Sequence, residues 1–315
     1  ELGVKEDWHR LLHDEDYELG LAKRYNDLSE KIIGKRLVSE RRSDPKLQWP
    51  EIKALHDIFE AKNTWHDMSF WLQQSANTED ELKALLDRVE ARLADLKGFM
   101  LPPNWAEEKE RLVNAGMQIP SYRGQRGPVT FAMSVYGPEN VIYLILDNPD
   151  LAARFRDLIL KAILGRAQVL DEEADLTPRT AKHGFYWYDD NCALLNAEMY
   201  EFFGYPILKA VYERYSPNPK DRRGQHSDSD MAQHLPAFGR LGMNSCNFGP
   251  NLTVTQIREH LPRAVISGQL APFTFSRNEE VNMVAEFIRD FEMAREKRGL
   301  MFGTAGSINN GSRLT

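Results

Sequence analysis

Cysteine is scarce. The chain holds two, Cys192 and Cys246, and neither lies in a C-x-x-C pair. That excludes a disulfide framework and points to a reducing, cytoplasmic setting. No apolar stretch approaches the ~20 residues a membrane helix requires, and the first residues show no signal-peptide pattern, so no membrane association is expected. There is no cationic surplus either. Lys and Arg number 40 against 47 Asp and Glu, for a net charge of −7, which argues against a broad nucleic-acid surface. No repeat of fixed period, low-complexity tract or dinucleotide-binding glycine fingerprint occurs. What remains is an ordinary globular composition, 42% hydrophobic and 28% charged over 315 residues. A chain of that length buries roughly 75% of its extended surface and needs no staples. The run GTAGSINNGS near Thr315 suggests that flanking elements lie outside these residues.

The first part, residues 1–97, reads as mostly helical. Residues 5–33 suggest two helices, SERRSDPKLQWPE (39–51) a loop, and DMSFWLQ (67–73) a strand. Leu82, Leu85, Leu86, Val89, Leu93 and Leu96 keep a helical period behind Thr78, Asp80 and Glu81, an N-terminal signature. From about residue 118 short apolar runs alternate with longer helical patterns. PVTFAMSVY (128–136), HGFYWYDD (183–190), RGQHSD (223–228), GMNSCNFG (242–249), RAVISG (263–268) and GLMFGT (299–304) read as strands, with helices between them. Such alternation implies a parallel sheet. About six strands without a dinucleotide fingerprint favour a barrel, its first strands falling in the N-terminal half.

In such a barrel chemistry gathers at the C-terminal tips of the strands. Polar residues stand at successive tips: Asp189, Asp190 and Asn191; His226 and Asp228; Cys246 and Asn247; Gln269. His226 and Asp228 share a face by the two-residue strand period, so both are expected to look into a pocket. Each has a plainer reading. The Asp pair serves equally as a cap for the following helix, His226 as a satisfied structural histidine, and Cys246 as a small buried filler. Arg123 and Arg126 are either solvated charges or contacts for an anionic substrate. His183 starts a strand and falls at the wrong end for catalysis.

RGPVTFA, YDDN followed by NAEMYEFFGYPILKAV, HSDSD, ISGQLAP and GTAGSI occur in this order over about residues 98–315. The series resembles the uroporphyrinogen decarboxylase and cobamide-dependent methyltransferase superfamily. The resemblance implies an α/β fold, a (β/α)8 TIM barrel with extra N-terminal helices, and a deep pocket at the tips. The whole chain, 1–315, then forms one barrel domain, with 98–315 as the matched part. The decarboxylase branch fits poorly. Its N-terminal Arg-Gln-Ala-Gly-Arg motif does not occur, its pocket tyrosine falls on Ser134 and its pocket histidine on Ala305, while its aspartate falls on Asp189. The methyltransferase branch binds zinc through a His-x-Cys pair and a later Cys. Here His226 matches the histidine, Asp228 stands at the first cysteine position and Ala305 at the second. A His226–Asp228 pair can still hold zinc, completed by water or a carboxylate such as Asp189, as a harder site.

The expected activity is therefore methyl transfer: corrinoid-linked demethylation of a small O- or N-methyl substrate. Asp189, Asp190, His226 and Asp228 are its catalytic residues, and Arg123, Arg126, Asn191, Asn247 and Gln269 contact the substrate. No Asp-x-His-x-x-Gly motif occurs, so the corrinoid comes from a partner protein or free. A second copy of the chain is the other expected partner. The competing readings are a decarboxylase acting on a carboxylate-rich substrate, with Arg123 and Arg126 as anion clamps and Asp189 ordering it, and a non-catalytic barrel that binds a ligand.

Overall fold

A computed structural model describes residues 2–66, 68–308 and 312–313. Six parallel strands form the main sheet in sequence order: β3 (Gly124–Arg126), β4 (Phe185–Tyr188), β5 (Arg223–Ser227), β6 (Ser245–Phe248), β7 (Val265–Ser267) and β8 (Leu300–Met301). Helices link each strand to the next, as parallel neighbours require. The architecture is barrel-like α/β. The described pairings run from β3 to β8 without a ladder joining the two ends, so the closed eight-stranded expectation reduces to this six-stranded arc.

Among the described residues the two N-terminal strands, β1 (Lys62–His66) and β2 (Ser69–Gln73), pair only with each other, and antiparallel. A link of two residues between His66 and Ser69 permits no crossover and forces a hairpin. The strand expected from residue 67 is thus β2, an element outside the main sheet. Asp67 itself lies outside the described residues.

PVTFAMSVY is a helix, Pro128–Tyr136, with eight of its nine residues buried. A segment enclosed on all sides has no polar face to reveal its period. The true strand, β3, is Gly124–Arg126, one residue upstream of it. Elsewhere the expected elements are present. The N-terminal helices are Trp8–His13 and Glu15–Ile33, each begun by an aspartate whose side chain accepts from a first-turn amide. Thr78 caps Glu79–Ala94, which buries Leu82, Leu85, Leu86 and Val89.

Register fixes the two faces of the sheet. Phe185 and Trp187 on β4, Cys246 and Phe248 on β6 and Ile266 on β7 are buried towards the helices. The rings of Phe185 and Trp187 lie 4.6 Å apart, and Phe238 stacks on Phe248 at 5.6 Å. Cys246 is 1% exposed, the packing role open to it from the sequence. The opposite, inner face carries Arg126, Tyr188, His226 and Asn247 as successive register partners across β3 to β6. That row is where the candidate site lies.

Candidate metal and substrate site

The chain leaves β4 at Tyr188, whose carbonyl accepts from Gly127 N at 2.7 Å. Asp189 then turns into the protein and is fully buried. Its Oδ1 accepts from Thr130 N at 2.8 Å, in the first turn of Pro128–Tyr136. Asp189 therefore does cap a helix, but the one after β3 rather than the one after β4, whose cap is Asn196. Gly127 makes the approach possible, because a Cβ there would stand 2.0 Å from that of Asp189. Burial raises the Asp189 carboxyl to about 7, with hydrogen bonds from Thr130 acting in the opposite direction. Among the described residues its Oδ2 is buried without a partner, the environment of a carboxyl that keeps its proton.

Asp190 points the other way. Its Oδ1 accepts from Asp228 N at 2.7 Å, tying the tip of β4 to that of β5. His226 stands between them on the inner face. Its Nδ1 lies 2.6 Å from Asn247 Oδ1, and its Nε2 lies 3.3 Å from Asp228 Oδ1. The amide nitrogen of Asn247 donates to the carbonyls of Ser267 and Thr304, so its oxygen is the atom turned to the imidazole. His226 Nδ1 must then donate, and in the neutral ring Nε2 keeps its lone pair. One ligand atom each from Asp190, His226 and Asp228 lies within 4.8 Å of the others. Burial holds the Asp228 carboxyl above its usual range, His226 acts against that, and Asp190 adds to it. Two carboxylates and one imidazole with its free lone pair directed among them form a hard donor set that fits a divalent cation. Gly306 lies against this group at φ 108°, where a Cβ would come within 2.4 Å of Asp228 Oδ1.

The remaining expected residues separate into two groups. Arg126 belongs to the inner row. It is partly buried and donates from Nη1 to Ser134 Oγ at 3.0 Å; burial lowers its guanidinium pKa, opposed by Asp190. Asn191 opens a short 3-10 turn, its backbone N donating to Thr130 Oγ1 at 2.9 Å. Arg123 is a correction. It precedes β3, at the start of the strand, and makes a two-pronged pair with Asp171 at 2.8 and 2.7 Å, its guanidinium over Tyr215. It is a neutralised structural cation, not an anion clamp. Gln269 is a second correction, fully buried, with its amide nitrogen donating to the carbonyls of Gly249 and Leu252. Asn247 is oriented by His226 and two carbonyls, so its place is that of a support for the imidazole. Asp189, enclosed against Thr130, is replaced by Asp190 as the carboxylate beside His226 and Asp228. His183 pairs with Asp221 at 3.1 Å, at the far end of the sheet.

Sequence reasoning missed the grouping of Asp190 with the metal pair, the tautomer set by Asn247 and the role of Gly306. The alternation itself carried a signal for Asn247: it is the register partner of His226.

No family model matches the chain, and no curated protein matches its sequence. Among solved structures it is similar to a methyltransferase from Methanosarcina mazei. The TM-score is 0.57 at 14% identity, covering 94% of this chain and 82% of that one. Identity so low shows a shared fold. Among the described residues no single helix is long and apolar enough to cross a membrane.

Proposed function

We propose that the chain is a methyltransferase acting at the inner face of its sheet, with a divalent cation, zinc foremost, held by His226, Asp228 and Asp190. The observation that carries this reading is the donor group itself: three ligand atoms within 4.8 Å, at the tips of two adjacent strands. A cation bound there would supply Lewis-acid polarisation of the heteroatom that bears or receives the methyl group. The chain's own residues do the rest. Asn247 holds the Nδ1 proton of His226 and so directs the Nε2 lone pair inward. Asp190 fixes the backbone of Asp228. Arg126 and Tyr188 border the same row, one a cation and the other an aromatic face, and position a small methylated substrate. The methyl acceptor is a corrinoid that arrives with another protein or free, since the chain carries no Asp-x-His-x-x-Gly motif. The shared fold with a methyltransferase supports this reading without fixing the reaction.

Elemental analysis of protein purified without chelator is the test. About one divalent ion per chain is expected, and none in His226→Ala, because the neutral imidazole is the ligand least replaced by water. Added methylcobalamin is expected to change spectrum. Metal-free protein that leaves methylcobalamin unchanged would overturn the proposal.

A further inference from the structure

A cavity of ≈1110 Å³ lies away from the donor group, and none of its lining residues belongs to a strand of the main sheet. Two helices, Leu96–Met100 and Trp105–Asn114, form its walls with the end of Pro149–Glu173. The link between the first two contains Leu101, Pro102 and Pro103. Two successive prolines bring no N–H to this wall. Phe99 and Val113 extend it, and Val113 stays 45% exposed. An apolar lining around a few polar groups is the usual make-up of a small-molecule site.

The polar centre is Glu173, the last residue of its helix and 6% exposed. Its Oε2 accepts from Trp105 Nε1 at 2.7 Å and from Lys109 Nζ at 3.1 Å, and Lys97 Nζ lies 2.6 Å from its Oε1. Burial pushes this carboxyl up, but Lys97, Trp105 and Lys109 outweigh it and hold it at about 2. Glu173 is therefore an anion in the fold. Lys53 lines the same cavity, its Nζ 4.2 Å from the centre of the Phe99 ring. Each ammonium carries three N–H groups. Lys97 and Lys109 share one carboxylate, and among the described residues Lys53 has none. The other acids of the lining do not use the spare donors. Asp57 accepts from Ala54 N at 2.6 Å, while Glu51 and Glu110 are exposed to water. Spare N–H donors thus stand beside an apolar wall, and the one buried carboxylate has both oxygens occupied. That lining complements a molecule with one anionic head and an apolar chain.

We infer that this cavity binds a straight-chain carboxylate, its head among Lys53, Lys97 and Lys109 and its chain against Phe99, Leu101 and Val113. A cationic head would face the same three lysines, and a compact anion would leave the apolar wall wet. Nothing in this assignment rests on the methyl-transfer reading.

Isothermal titration of the full chain with octanoate is the test, with hexanoate and octylammonium for comparison. Octanoate is expected to bind at one site and octylammonium not to bind. Each buried methylene adds about fourfold in affinity, so hexanoate should bind roughly tenfold more weakly. Val113→Glu sets a carboxylate in the apolar wall and should weaken octanoate binding by about tenfold or more. Its melting temperature should hold, since Val113 is half exposed. Lys97→Gln should weaken octanoate binding by about threefold or more, with Trp105 and Lys109 still on Glu173. Lys31→Gln, an equal charge change at an exposed position of Glu15–Ile33, should bind as the natural chain does. His226→Ala should also bind octanoate unchanged even where it loses metal, which separates this inference from the assignment at the tips. It is overturned by no binding of octanoate, by octylammonium binding as tightly, by hexanoate binding as tightly, or by an unchanged affinity in Val113→Glu.

Discussion

At the scale of single residues, the site depends on one amide. Asn247 donates to Ser267 and Thr304 and so has only its oxygen left for His226, 2.6 Å away. An imidazole without that partner is free to place its proton on Nε2, the nitrogen facing Asp228, and is then no ligand. Asn247→Leu removes the acceptor and is expected to lower divalent-metal affinity by about 10–100-fold, the usual effect of losing such a support. Competition against a chromophoric chelator measures it. An unchanged affinity would mean that Nε2 is set by something other than Asn247. The residue types at the tips were legible in the sequence, since a two-residue period puts His226 and Asp228 on one face whatever else the chain does. Their partners were not. Whether Asp189 or Asp190 joins them turns on a single backbone rotation after Tyr188, and no composition rule reports it.

At the scale of elements, the most informative misreading is Pro128–Tyr136. Its sequence, mostly apolar with Val129, Thr130 and Val135 β-branched, suits a buried strand as well as a buried helix. The distinguishing marks were at its ends: Pro128 at the first helical position, and glycines at 127 and 137. Pro there costs nothing because its missing N–H would have been unpaired. Asp189 completes this helix start from another element, and that has a pH signature. The carboxyl is raised from its ordinary value to about 7 by burial. Below about pH 4 both folded and unfolded chains hold the proton and folding carries no penalty. As pH rises towards 7 the unfolded chain ionises while the folded one keeps its proton, so stability falls by up to roughly 1.4 kcal/mol for each pH unit in that window. Asp189→Asn cannot titrate. Melting temperatures from pH 4 to 8 should therefore fall less steeply in Asp189→Asn than in the natural chain, even though the variant starts lower for want of a partner for its amide. Parallel slopes would show that Asp189 is ionised in the fold.

At the scale of the whole molecule, strand–helix alternation revealed the parallel sheet, because each crossover needs a helix and the half-exposed helices declare their period. Closure was not legible, since it depends on which edges meet and not on any local pattern. The arc has a firm middle and a weak end. β5 is paired on both sides over four register positions each. β8 has two residues and is paired only to β7. The helix before it, Glu280–Ala294, buries only Asp290 and leaves Val281, Val284, Ile288 and Phe291 exposed. Polar contacts supply much of its hold, Glu286 accepting from Ala271 N and Thr274 Oγ1, with a ring stack between Phe287 and Phe302 at 4.1 Å and Ala294 packed against the core. Polar bonds open to water contribute about 1 kcal/mol each, far below what an enclosed apolar face supplies. Local opening should follow that difference. Native-state hydrogen exchange is expected to be about a hundredfold faster in Glu280–Met301 than in β4 to β6, with exchange in β5 approaching the rate set by global unfolding. Equal protection of both regions would show that the last helix packs against a surface as large as the one beneath β5, and that the sheet acts as one cooperative unit from end to end.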